Sequence, residues 1–125
     1  MSLAELAAAA RQPDLPLATR HARLVRLGDA YADAGDLDRA AKTFTLAVRL
    51  APSSHAAYVS LGVALGKARR AAPAHEAFVH ATTLAPSHAF SYRALGLAAS
   101  MLGRTADAAQ ALRVALRLQP TFDDA

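Results

Sequence analysis

Leucine followed by glycine returns every 34 positions along this chain, as Leu27 and Gly28, Leu61 and Gly62, and Leu95 and Gly96. Pro52, Pro86 and Pro120 keep the same interval, so half of the six glycines and half of the six prolines share one register. A fixed period of this length means stacked copies of one supersecondary unit, each too small to bury its apolar face alone. Single-core folds with unrelated elements are set aside by this feature before any other is considered.

Three blocks follow, residues 21–54, 55–88 and 89–122, with residues 1–20 ahead of them and 123–125 behind. Place 4 of each block holds Leu24, Tyr58 and Tyr92, and place 11 holds Tyr31, Leu65 and Ala99. Place 20 holds Ala40, Ala74 and Ala108, place 24 holds Phe44, Phe78 and Leu112, and place 27 holds Ala47, Ala81 and Ala115. Places 4, 7, 8 and 11 step by three and four and form one stripe on a first helix. Places 20, 24 and 27 do the same on a second. Each block is therefore a helical hairpin. Gly or Ala at places 8, 20 and 27 lets the two axes approach, while Tyr, Leu and Phe fill the space between. The spacing predicts helices near 21–34, 37–50, 55–68, 71–84, 89–102 and 105–118. Gly35 and Gly103 fall in the turns between paired helices, and the periodic prolines close each second helix. Ser54 and Ser87 stand near helix starts as N-caps, and Gly62 and Gly66 both read as packing glycines. Pro73 is acceptable only in the first turn of its helix. Ser2 and Glu5 form a capping box for a short alanine-rich helix that covers the open end of the first repeat, before a break at Pro13 to Pro16.

With a large residue, Leu, Gly, an aromatic, Ala, an aromatic, Ala and Pro at these places, the chain resembles the tetratricopeptide repeat family over about 102 of its 125 residues. Ala99 is the clear departure. The expected fold is an all-α, right-handed helical-hairpin solenoid of six repeat helices plus the short N-terminal helix. No helix follows the third repeat, so its last helix, with Val114 and Leu118, is expected to be partly uncovered. Either the chain continues in a longer protein or that end docks on another molecule.

The resemblance also implies a site. In such proteins the first helices line a concave face, and carrying those places over gives Val25, Arg26 and Asp29 in the first repeat. The second repeat supplies Val59, Val63 and Lys67, and the third supplies Phe90, Arg93, Leu97 and Met101. Val59, Val63, Phe90 and Leu97 make a nearly continuous apolar patch that the hairpin core does not need, as binding surfaces commonly do. The family's clamp for acidic chaperone tails uses Lys and Asn at places 5 and 9 of one repeat, Asn at place 6 of the next, and Lys and Arg at places 2 and 6 of a third. Here those places hold Val25, Asp29, Ser60, Phe90 and Ala94, so a carboxylate finds no paired donors. The asparagine ladder of related glycosyltransferases is missing as well, since the chain has no asparagine. The three-repeat type III secretion chaperones are similar in repeat count and groove character.

Composition narrows the remaining chemistry. The chain has no cysteine, which removes disulfides, thiolate zinc sites and cysteine nucleophiles. His75, Glu76 and His80 outline a zinc-protease helix, but histidines five apart do not face one metal from the same side. No phosphate loop or nucleophile elbow is present. A net charge of +4 raises the question of nucleic acid. Arg39, Lys42, Arg49, Arg113 and Arg117 fall on second helices, and Lys67, Arg69 and Arg70 cluster at a turn, without the interleaved aromatics of a single-strand platform. No nucleic-acid partner, cofactor, metal or catalytic residue is expected. The first twenty residues lack the pattern of a secretory signal, and no run reaches the roughly 18 apolar residues of a membrane span, so a cytoplasmic location is expected. The function expected is a non-catalytic scaffold, chaperone- or assembly-factor-like in kind, that binds a peptide or helix of another protein. The alternatives are self-association through the uncapped end and recruitment of substrates to a larger enzyme.

Overall fold

The computed structural model describes Ala8 and residues 14–120. The proposed capping box at Ser2 and Glu5 lies outside the described residues, as do residues 121–125. Six helices follow in order: α1 (Leu17–Asp33), α2 (Leu37–Leu50), α3 (His55–Lys67), α4 (Ala71–Leu84), α5 (Ala89–Met101) and α6 (Thr105–Leu118). Helices pair as α1 with α2, α3 with α4 and α5 with α6, and each second helix packs on the first helix of the next pair. The first helices of neighbouring pairs also touch. The result is an all-α solenoid of three hairpins.

The hairpins close through one repeated contact. A Cβ built on Gly28 would lie 2.5 Å from the Phe44 ring, and one on Gly62 would lie 2.7 Å from the Phe78 ring. In the third repeat a Cβ on Gly96 would meet Leu112 at 2.9 Å. The aromatic of the second helix thus occupies the room that the missing side chain of the first helix leaves. Phe44 and Phe78 are almost wholly buried, and Ala40, Ala47, Ala74 and Ala81 fill the remaining close contacts. Gly66 does not share this role. A Cβ there would meet nothing within 4 Å, because its helix face opens on a groove.

Turns between paired helices share one hydrogen-bond pattern. The amides of Gly35 and Asp36 donate to the carbonyls of Ala32 and Tyr31, those of Arg69 and Arg70 to Gly66 and Leu65, and those of Gly103 and Arg104 to Ser100 and Ala99. This doubly bonded C-terminal motif needs a left-handed residue, and Gly35 and Gly103 supply it at φ 83° and 77°. Arg69 adopts φ 65° at the same place of the second repeat, without glycine's freedom.

The other ends also have local causes. Ala51, Ala85 and Gln119 end the second helices by leaving the helical region, at ψ 80°, 80° and 85°, as the proline that follows each requires. Ser54 caps α3 by accepting from the Ala57 amide at 3.4 Å, and Asp36 caps α2 by accepting from Arg39 at 3.2 Å. Ser87 does not cap α5. His88 holds that position and its side chain makes no capping bond, because the register places the cap one residue later than the serine. Pro73 lies at the third residue of α4, where its missing amide hydrogen has no intrahelical acceptor to lose. α1 starts at Leu17, four residues ahead of the first repeat, directly after Pro16.

Candidate functional site

Two connected grooves lie along the first helices. One, of about 290 Å³, opens between α3 and α5 and is almost wholly apolar. Gly62, Val63, Gly66 and Lys67 form one wall, Phe90, Ala94, Leu97, Ala98 and Met101 form the other, and Ala74 and Phe78 of α4 make the floor. Leu97 is 55% exposed, Met101 49% and Phe90 44%, high values for side chains that cost free energy in water. The second groove, of about 470 Å³, lies between α1 and α3. Asp29, Ala32 and Asp33 line it from α1, with Val59, Ser60, Val63 and Lys67 across from them and Leu37 and Phe44 behind. Val63, Lys67 and Phe90 border both grooves and make them one surface.

Of the ten residues expected at the site, the structure brings Asp29, Val59, Val63, Lys67, Phe90, Leu97 and Met101 onto this surface. Val25, Arg26 and Arg93 border neither groove. Val25 packs against the hydrophobic core instead, and Val59 and Val63 divide their contacts between core and groove. The floor residues Ala74 and Phe78 were legible only as core, because places 20 and 24 close the hairpin and the same atoms also face the groove.

The electrostatics change along the surface. Asp29 and Asp33 stand one turn apart on α1, and the Asp29 carboxyl is raised above its ordinary value, first by partial burial and then by Asp33. Neither carboxylate has an ion-pair partner among the described residues. Beyond Lys67 the α3 and α5 walls carry no formal charge.

The histidines are placed by the hairpins. Nδ1 of His21 lies 2.9 Å from the Ala47 carbonyl and that of His55 lies 3.1 Å from the Ala81 carbonyl, so each ring donates across its own hairpin. His88 packs edge-on against His55 at 4.5 Å, and its Nδ1 lies 2.8 Å from Oγ of the fully buried Ser91. The pKa of His88 is lowered by burial and then by His55. His80 stacks on Tyr58 at 4.9 Å, whereas His75 lines a different groove with Tyr92 and Asp107. Among the described residues no three metal-capable side chains cluster.

A family model described as tetratricopeptide repeat matches residues 2–55, 25–65 and 63–121. The chain belongs to this family. A search of curated protein sequences finds no match. Among solved tetratricopeptide structures it is similar to MamA 41-end from Desulfovibrio magneticus RS-1, at 27% identity and a TM-score of 0.82 over 94% of this chain and 64% of MamA. It thus spans slightly less than two thirds of that protein structure. The first tetratricopeptide domain of Spaghetti, solved with an HSP90 peptide of sequence SRMEEVD, superposes with a TM-score of 0.80 at 21% identity, over 85% of this chain and 84% of that one. YrrB, described as having an unusual peptide-binding site, superposes with a TM-score of 0.77 at 20% identity, over 82% of this chain and 53% of its own. At those last two identities the likeness is one of fold. No described tetratricopeptide helix is long and apolar enough to cross a membrane.

Proposed function

We propose that this tetratricopeptide protein is a non-catalytic interaction scaffold that holds a peptide or helix of a partner protein on its concave face. One observation carries the reading: Phe90, Leu97 and Met101 project from α5 into an apolar groove that the hairpin core does not fill. Apolar side chains exposed side by side are the usual anchors of a helix or extended segment. The peptides bound by Spaghetti and the binding site described for YrrB support this use of the fold. An acidic tail such as SRMEEVD is a poor ligand for this chain, because Asp29 stands where it would need a donor and Asp33 adds a second negative charge to the same groove.

The test compares proteins captured by the native chain with those captured by a Leu97→Asp, Met101→Asp variant. Both positions are solvent-exposed, so the variant keeps its helices, which circular dichroism verifies. Specific partners that disappear with the variant are the expected result. Partners retained by both chains would move the site off the concave face. Self-association is the second reading, favoured by Leu112, Leu116 and Leu118, which are all exposed on α6. A mass that grows with concentration in light scattering is its signature.

A further inference from the structure

Places 9 and 13 of the first helices run in a line across the concave face. They read Asp29 and Asp33 on α1, Val63 and Lys67 on α3, and Leu97 and Met101 on α5. The surface therefore passes from doubly acidic to wholly apolar over three repeats. Several local rules are broken at the acidic end. Like charges four residues apart on a helix destabilise it. Asp33 is also the last residue of α1, where the helix dipole disfavours an anion, and no basic residue occupies that last turn. Arg26 stands one turn before Asp29 and Lys67 lies across the groove, yet among the described residues neither forms an ion pair with either carboxylate. The raised Asp29 carboxyl has the same origin, since burial and Asp33 both work against its charge. An arrangement that costs stability in the free chain and opens on an exposed apolar groove is the pattern of a binding site.

We infer that the concave face takes a peptide segment of mixed character, with large apolar side chains seated between α3 and α5 and a lysine or arginine lying on Asp29 and Asp33. This inference rests on the scaffold reading above and adds the chemistry of the ligand. A cation there would neutralise two repelling carboxylates, and the same change would give the ligand its direction along the groove. Lys67 borders both grooves, and its charge disfavours a cation between α3 and α5, where no carboxylate lines the wall to offset it. Packed helices lie about 10 Å apart. The carboxylates are then about 15 Å from the middle of the α3/α5 groove, a span that extended chain covers in about four or five residues.

Selection of random 12-residue peptides displayed on phage, panned on the whole chain, tests the inference, because the library samples every combination of apolar and charged side chains. The expected peptides carry Lys or Arg about four or five residues from a Leu, Ile, Met or Phe. Their binding falls about fivefold in an Asp29→Asn, Asp33→Asn variant, as expected for a cation paired with carboxylates on an exposed face. Panning on an Asp29→Lys, Asp33→Lys variant then enriches acidic residues at the same spacing. Peptides that lack basic residues, bind the Asn variant equally well and are lost with Leu97→Asp, Met101→Asp would overturn the charge inference and leave the groove standing. Peptides indifferent to both variants, or no enrichment at all, would overturn the groove as well.

Discussion

At the scale of single residues, two glycines four positions apart in α3 have opposite meanings. Gly62 faces the Phe78 ring, whereas Gly66 faces open space. Glycine inside a helix costs about 1 kcal/mol relative to alanine, so Gly66→Ala is expected to stabilise the fold by about that amount. Gly62→Val must displace a buried ring and is expected to cost about 2–3 kcal/mol, as overpacked cores do. Urea denaturation of the two variants measures both signs. Sequence reasoning reached Gly62 because its place recurs in all three repeats. It misjudged Gly66 because position in a helix register does not reveal what faces the helix. Asp29 was assigned to the site by its place, but its lack of an ion-pair partner among the described residues and the part played by Asp33 became informative only with the coordinates.

At the scale of elements, the boundaries of α2, α4 and α6 match those expected from the spacing, and α1, α3 and α5 end one residue sooner. The ends of α1, α2, α4, α5 and α6 were legible because each has a local cause in the chain, a proline two residues past the second helices or a glycine in the turn, whereas the end of α3 followed from the repeat alone. α1 was not legible at its start, since the repeat does not constrain what precedes its first copy. Ser87 was misassigned for a related reason. A serine one residue from a cap position is indistinguishable from a cap until the helix register is fixed. The turn after α3 differs from the other two, with Arg69 where Gly35 and Gly103 stand. Arg69→Gly removes a left-handed non-glycine residue and is expected to raise stability by about 1 kcal/mol. Thermal unfolding followed by circular dichroism reads this as a higher midpoint.

At the scale of the whole molecule, the solenoid covers its inner surfaces, while its last helix is uncovered among the described residues. Phe44 and Phe78 are 2% and 4% exposed, whereas Leu112 at the same place of the third repeat is 37% exposed. α2 and α4 each have a following hairpin packed on them, and α6 has none among the described residues. The sequence forecast an uncovered last helix, and Leu118 is exposed as expected. The grooved face of the first helices was legible only in outline. Its position follows from the repeat, but the joining of two grooves through Val63, Lys67 and Phe90 depends on how successive hairpins rotate, which no spacing records. A photo-crosslinking amino acid placed at Leu97, in the groove between α3 and α5, and separately at Leu46, exposed on α2, tests the central claim in the cell of origin. The account predicts a crosslinked partner from position 97 and none from position 46. Crosslinking from position 46 with none from position 97 would contradict it.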